Sequence, residues 1–148
     1  MIITKNGEII ENNYNQIFTI EEYQKKNYCL ISKEFFIINI EKIDIDKKNG
    51  IQINSDENLD IINKNLKFFD VVIINFLNFK DGRPFSLSRN LREIYHFKNE
   101  IRASGYILPD QFQFLIKCGF DTVDIDEKKF KTWLNTLKGE SGLDYQRR

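Results

Sequence analysis

Within one loop and the helix start that follows it, the chain sets Lys80, Asp81, Gly82, Arg83, Ser86 and Arg89. Guanidinium forks, a hydroxyl and the free backbone N–H groups of a helix opening at Pro84 together suit an oxyanion such as sulfite, sulfate or phosphate. The same residues also have a structural reading: Asp-Gly makes a turn, Pro84 starts a helix, and the arginines are solvated or bridge to Asp81 and Glu93. Asp110-Gln111 lies at a second helix start. It either orients a ligand or Arg102, or places an acid in the first turn, where the dipole favours one by a few tenths of a kcal/mol to about 1 kcal/mol. Arg102 and Arg89 are the candidate second cations for an anion held by Arg83 and Ser86.

Other chemistries have little to work with. His96 is the one histidine, expected late in its helix where a cation is favoured, and neither cysteine stands near it in sequence. A zinc or haem site is therefore not expected, and the expected metal set is empty. Cys118 precedes Gly119 at a helix C-terminus, an unfavourable place for a thiolate, so it reads as buried filler. No GxGxxG and no GxxxxGK[ST] loop occurs, and no Ser/His/Asp order suggests a nucleophilic triad.

The elements that must position these residues are regular from Gly50 onward. Gly50–Asn54 reads as a strand, Ser55 as an N-cap, and Leu59, Ile62, Leu66 and Phe69 as one helical face. The apolar run Val71–Phe76 suits a strand covered on both faces. Pro84 then opens a helix striped by Leu87, Leu91 and Ile94, which should stop near Asn99. Glu100–Ile107 is a strand, and Pro109 opens a helix with Phe112, Leu115 and Ile116 that Gly119 closes. Thr122–Ile125 is the last strand. Asp126 caps a helix with Phe130, Trp133, Leu134 and Leu137 inward, ended by Gly139.

Four β-α units over residues 50–138 imply an α/β fold with a mainly parallel sheet. The loops after its strands, with Asp81 in one, Asp110 in another and Asp126-Glu127-Lys128 in a third, should share one edge. Before this core, Ile2–Ile10 should form a β-hairpin about Asn6-Gly7 in a type I′ turn, an N-terminal extension of the sheet. Residues 11–26 give no firm assignment, Tyr28–Ile31 is a strand, and Lys33–Asp44 fits strand or helix. The whole reads as a single domain over 1–148: a hairpin and irregular part over 1–49, the core over 50–138, and a tail over 139–148.

Composition bounds the function. At 148 residues with 41% hydrophobic and 30% charged residues, the chain is the size and balance of one globular domain. Its 22 basic and 22 acidic residues cancel, so neither nucleic acid nor an anionic membrane is an expected partner. No signal peptide is expected at its start, and no apolar run is long enough to span a bilayer. Two isolated cysteines fit a cytoplasmic protein.

A family resemblance emerges between Phe79 and Asp121. Phe79-Lys80-Asp81-Gly82-Arg83-Pro84-Phe85-Ser86 matches F-x-D-G-R-x-aromatic-S, and Leu91-Arg92-Glu93 continues it. Ile101-Arg102-Ala103-x-Gly105, Asp110-Gln111 and Lys117-Cys118-Gly119-Phe120-Asp121 follow, with Tyr145-Gln146 near the end. In these motifs the chain resembles the bacterial domain of unknown function nine-three-four. Tyr106, Pro109 and Asn99 depart from that family's usual residues. The resemblance implies an oxidoreductase label and a link to sulfite reduction, because the family's genes lie beside those of assimilatory sulfite reductase. It carries no catalytic assignment.

The leading expectation is an accessory protein of assimilatory sulfite or sulfate reduction, binding an oxyanion or the sulfite reductase itself. A small oxidoreductase of the same pathway with a bound flavin or nicotinamide, its phosphates on Arg83 and Arg102, is the second reading, although no cofactor motif is evident. A phosphometabolite-binding module is the third.

Overall fold

In the computed structural model, which describes residues 1–141, six parallel strands form where four were expected. They are β3 (Asn15–Gln16), β4 (Tyr28–Ser32), β5 (Lys48–Asn54), β6 (Val71–Phe76), β7 (Glu100–Gly105) and β8 (Thr122–Asp124). Each is followed by a helix: α1 (Ile20–Lys25), α2 (Lys33–Ile38), α3 (Asp60–Asn63), α4 (Arg83–Glu93), α5 (Phe112–Lys117) and α6 (Phe130–Ser141). The expected four units are β5-α3, β6-α4, β7-α5 and β8-α6. Two more precede them, β3-α1 and β4-α2, of which β4 is the strand expected at Tyr28–Ile31. A hairpin of β1 (Ile2–Thr4) and β2 (Ile9–Ile10) completes the curled sheet, whose order is β2-β1-β8-β7-β6-β5-β4-β3.

Strands β3 to β8 therefore lie side by side in chain order, with every pairing among them parallel. Like-handed crossovers between successive strands place the helices on one face. That face carries Ile31, Ile51, Ile53, Val72, Ile74, Ile101, Ala103 and Val123, which pack in one core with Phe36, Leu91, Leu115 and Trp133 from the helices.

The other face has rows Leu30–Gly50–Val71–Glu100 and Ser32–Gln52–Ile73–Arg102–Thr122. Residues 12–14 strap across it. The Tyr14 ring packs with Leu30, Val71 and Ile73, and burial pushes its phenol pKa upward. Gly50 leaves the room: a Cβ there would meet Val71 at 2.8 Å and Tyr14 at 3.3 Å.

Local assignments differ in instructive ways. β1 and β2 pair as expected, but Gly7 N–H bonds the Thr4 carbonyl while Gly7 takes φ 83° and Asn6 is not among the positive-φ residues. This is a three-residue turn ending in a left-handed glycine, not a type I′ turn. β1 also pairs antiparallel with β8.

Lys33–Asp44 resolves to helix followed by a 3-10 turn, because Ser32 accepts from Phe35 N–H and Phe35 and Phe36 are buried. Ser55 caps nothing; α3 is a single turn begun at Asp60. α4 ends at Glu93 rather than near Asn99, since Phe97 N–H turns back to the Leu91 carbonyl and His96 takes φ 56°. His96 thus lies beyond the helix. Gly119 closes α5 as expected, with Phe120 N–H bonded to the Leu115 carbonyl.

Asp126 accepts from Lys128 N–H, heading a 3-10 turn that leads into α6. α6 runs through Gly139 to Ser141, so Gly139 does not end it as expected. Tyr145-Gln146 and the rest of residues 142–148, where a tail was expected, lie outside the described residues. Among the described residues no helix is long and apolar enough to cross a membrane.

Candidate functional site at the carboxyl edge of the sheet

The loops that leave β6, β7 and β8 emerge at one edge, because these strands are parallel. Asp81 and Asp110 therefore share that edge. The first loop is organised by Asp81, whose carboxylate is buried. Ser55 donates its hydroxyl to Oδ2, and Leu77 N–H reaches the same oxygen at 3.3 Å. On Oδ1, Arg83 places its backbone N–H at 3.2 Å and its side-chain Nε at 3.0 Å. Burial alone would push this carboxyl up. The Arg83 and Ser55 side chains, with the two backbone donors, outweigh it and hold its pKa at about 2.

Arg83 is thus fixed at the first turn of α4 by one nitrogen, while its side chain stays 54% exposed. Gly82 provides no side-chain cap to the helix. Ser86 is exposed one turn further on, and Arg89 lies over the Phe114 ring at 5.8 Å. Lys80 is exposed in the same loop.

Asp110 is exposed in the 3-10 turn Pro109–Gln111 that leads into α5. Gln111 accepts the Leu108 N–H at 2.9 Å, so its amide oxygen caps its own turn. The two loops meet where Phe79 and Tyr106 lie edge to face at 5.2 Å, and the helices that follow them meet where Phe85 and Phe114 pack at 4.8 Å. Below them runs a groove of about 310 Å³ lined by Phe79, Ile107, Leu108, Pro109, Thr132, Trp133, Lys128 and Lys129.

Arg102 does not join this cluster. It lies within β7 on the strapped face and is 3% exposed. Its Nη2 meets Glu100 at 2.8 Å, its Nε meets Glu100 at 2.9 Å and Thr122 at 3.3 Å, and its Nη1 meets Asn12 at 3.3 Å. Tyr14 lies under the guanidinium at 5.9 Å. Arg83 and Arg102 therefore do not converge on one phosphate. Nor does the order of β3 to β8 reverse anywhere, so there is no topological switch point of the kind that opens a dinucleotide crevice.

Another motif arginine, Arg92, is a staple at the opposite edge. It donates to the carbonyls of Gly119, Phe97 and Asn99 at 2.7–3.0 Å and meets Asp121 at 2.5 Å. A cavity of about 410 Å³ opens beside it, with Lys5 and Lys98 on its wall. Among the described residues no three His, Cys, Asp or Glu side chains are placed to hold a metal ion.

Two contributions to the edge were not read from the sequence. Ser55 reads as a helix cap, and its bond to a residue 26 positions away has no local signature. The exposed rings of Phe79, Tyr106 and Phe114 look like core residues in a one-dimensional pattern; only the adjacent Lys128-Lys129 pair hints at an open surface.

No curated protein and no solved structure matches the chain. The model of a family described as bacterial proteins of unknown function, DUF934, matches residues 50–148, two thirds of the sequence. Since that span takes in β6, β7, β8 and every loop of the edge just described, the chain belongs to the DUF934 family.

Proposed function

We propose that this protein is an accessory factor of assimilatory sulfite reduction, acting at the carboxyl edge of β6, β7 and β8 by holding a small oxyanion and contacting the reductase. The observation that carries the reading is Arg83, anchored to buried Asp81 through Nε and its own backbone N–H yet half-exposed at the head of α4. Anchoring removes rotamer freedom before an anion arrives, and the helix N-terminus adds its partial positive charge. Ser86 and Arg89 are the neighbouring donors, and Asp110 and Gln111 border the same edge. The link to sulfite reduction comes from the association implied by the family resemblance.

Calorimetric titration of the native protein with sulfite, sulfate and phosphate tests the anion half. Arg83→Ala should weaken binding about ten- to a hundredfold, the loss of one charge-assisted hydrogen bond. Equal, weak binding of all three anions by both proteins would reduce the loop to a helix start. Biosensor titration against purified assimilatory sulfite reductase tests the other half, and an absence of binding would count against the reading. A flavin-like absorbance spectrum of the pure protein would favour an oxidoreductase instead, and preference for phosphate esters over sulfite would favour a phosphometabolite module.

A further inference from the structure

We propose that the groove at the carboxyl edge is a docking slot for a partner polypeptide, specifically a segment with one large apolar side chain flanked by carboxylates. This rests on the accessory-protein reading and names the chemistry of the partner it would meet. The floor and walls of the slot are apolar: Phe79 from the loop after β6, Ile107 to Pro109 from the loop after β7, and Trp133 from the first turn of α6. The remaining walls are Thr132 and two lysines, with no carboxylate among them. The chain as a whole is neutral, with 22 basic and 22 acidic residues, so this cationic lining is local.

The lysines are placed where an apolar anchor would bring its neighbours. Lys129 Nζ stands 5.4 Å from the centroid of the Phe79 ring. A carboxylate approaching it would arrive as the anchor enters beside that ring, which completes an anion–cation–ring stack. The apolar surface continues beyond the slot. Phe79, Tyr106, Leu108 and Phe114 are between 40% and 51% exposed, and Arg89 lies over the last of these rings. Exposed aromatic residues mixed with cations, grouped on one edge, have the composition of a protein-binding hot spot rather than of ordinary surface. A volume of about 310 Å³ accommodates one leucine- or phenylalanine-sized anchor with adjoining backbone, near the lower limit for a ligand pocket.

Fluorescence anisotropy with three labelled eight-residue peptides tests the slot on the full chain. The first carries a Leu-Phe pair between aspartates, the second the same pair between lysines, and the third serines in place of the pair. The aspartate-flanked apolar peptide should bind, the other two should bind at least about tenfold more weakly, and raised salt should weaken the first. Reversing the charges with Lys128→Glu and Lys129→Glu should cost about tenfold or more, while the double arginine variant should bind like wild type. Both lysines are exposed, so unchanged thermal midpoints will show that the fold is intact.

Equal binding of the acidic and basic peptides, or indifference to charge reversal, overturns the proposal. So does phenylacetate binding as tightly as the peptide, which would make the slot a small-molecule site. Purified reductase separates this inference from the reading beneath it. If it binds wild type and the charge-reversed protein alike, the slot is wrong and the accessory role stands. If it binds neither, while the acidic peptide behaves as stated, the accessory role falls and the slot stands.

Discussion

Four donors from three elements converge on the two oxygens of Asp81, so its charge ties the turn after β5 to the end of β6 and the head of α4. Its folded pKa of about 2 lies below the ordinary 3.8, so the unfolded chain binds the proton more readily. The stability it contributes is fully present above about pH 4 and is lost as pH falls toward 2. Asp81→Asn should flatten that part of the stability curve, as read from urea midpoints between pH 2 and pH 5. At neutral pH the same change should cost about 2 kcal/mol, because donors built around a charge lose it.

Arg92 makes a complementary case, with every nitrogen of its guanidinium bonded to a carbonyl or to Asp121. Arg92→Ala should cost roughly 3 kcal/mol, and Arg92→Lys should recover little, since an ammonium cannot span those acceptors. Denaturant titration of the three proteins checks this. Both residues stand in the motifs through which the family is visible in the sequence. Their motif status is explained at least in part by architecture, and the same holds for Arg102, whose partners Asn12 and Tyr14 lie about ninety positions away. No spacing rule links residues so distant. The ion pair between Asp81 and Arg83, two positions apart, is by contrast a contact that sequence spacing reaches.

Elements were legible where one signal dominated. Val71–Ile74 is apolar on consecutive positions because its strand is covered on both faces, by helices on one and by the strap on the other. β3 and α1 were missed, although Thr19 and Glu22 form a capping box spaced three apart, a signal lost among polar neighbours. A two-residue strand such as β3 has no periodicity to read.

At the far end of β7, Gly105 takes φ 90°, and a Cβ there would strike the Asn75 side-chain oxygen and the Phe76 carbonyl. The glycine lets the chain turn sharply and set Tyr106 against Phe79. Gly105→Ala should therefore destabilise the protein by about 2 kcal/mol or more and loosen that ring pair. Urea unfolding together with the near-ultraviolet circular dichroism of the folded state measures both effects.

The molecule's sheet does not respect the boundary of the family match. Residues before 50 supply β4, the strap over Arg102, and β1, the partner on the free side of β8. A fragment of residues 50–148 would present Val71, Ile73 and Arg102 to water and leave β5 and β8 as open edges. It should show no cooperative thermal transition and should associate, as judged by circular dichroism and light scattering.

Chain-order pairing also has a kinetic side. From β3 to β8 each strand meets the next one made, so the sheet can grow outward by adding one neighbour at a time, each across a single helical crossover. β1 is the exception, since Ile3 pairs with Val123 across nearly the whole chain. That closure has the largest loop entropy to overcome, and on a ribosome it must wait until β8 has emerged. Ile3→Ala, at a buried position on β1, should hardly change the refolding rate but should speed unfolding several-fold in stopped-flow experiments. Of the strands in this sheet, the first to be synthesised would then be the last to dock.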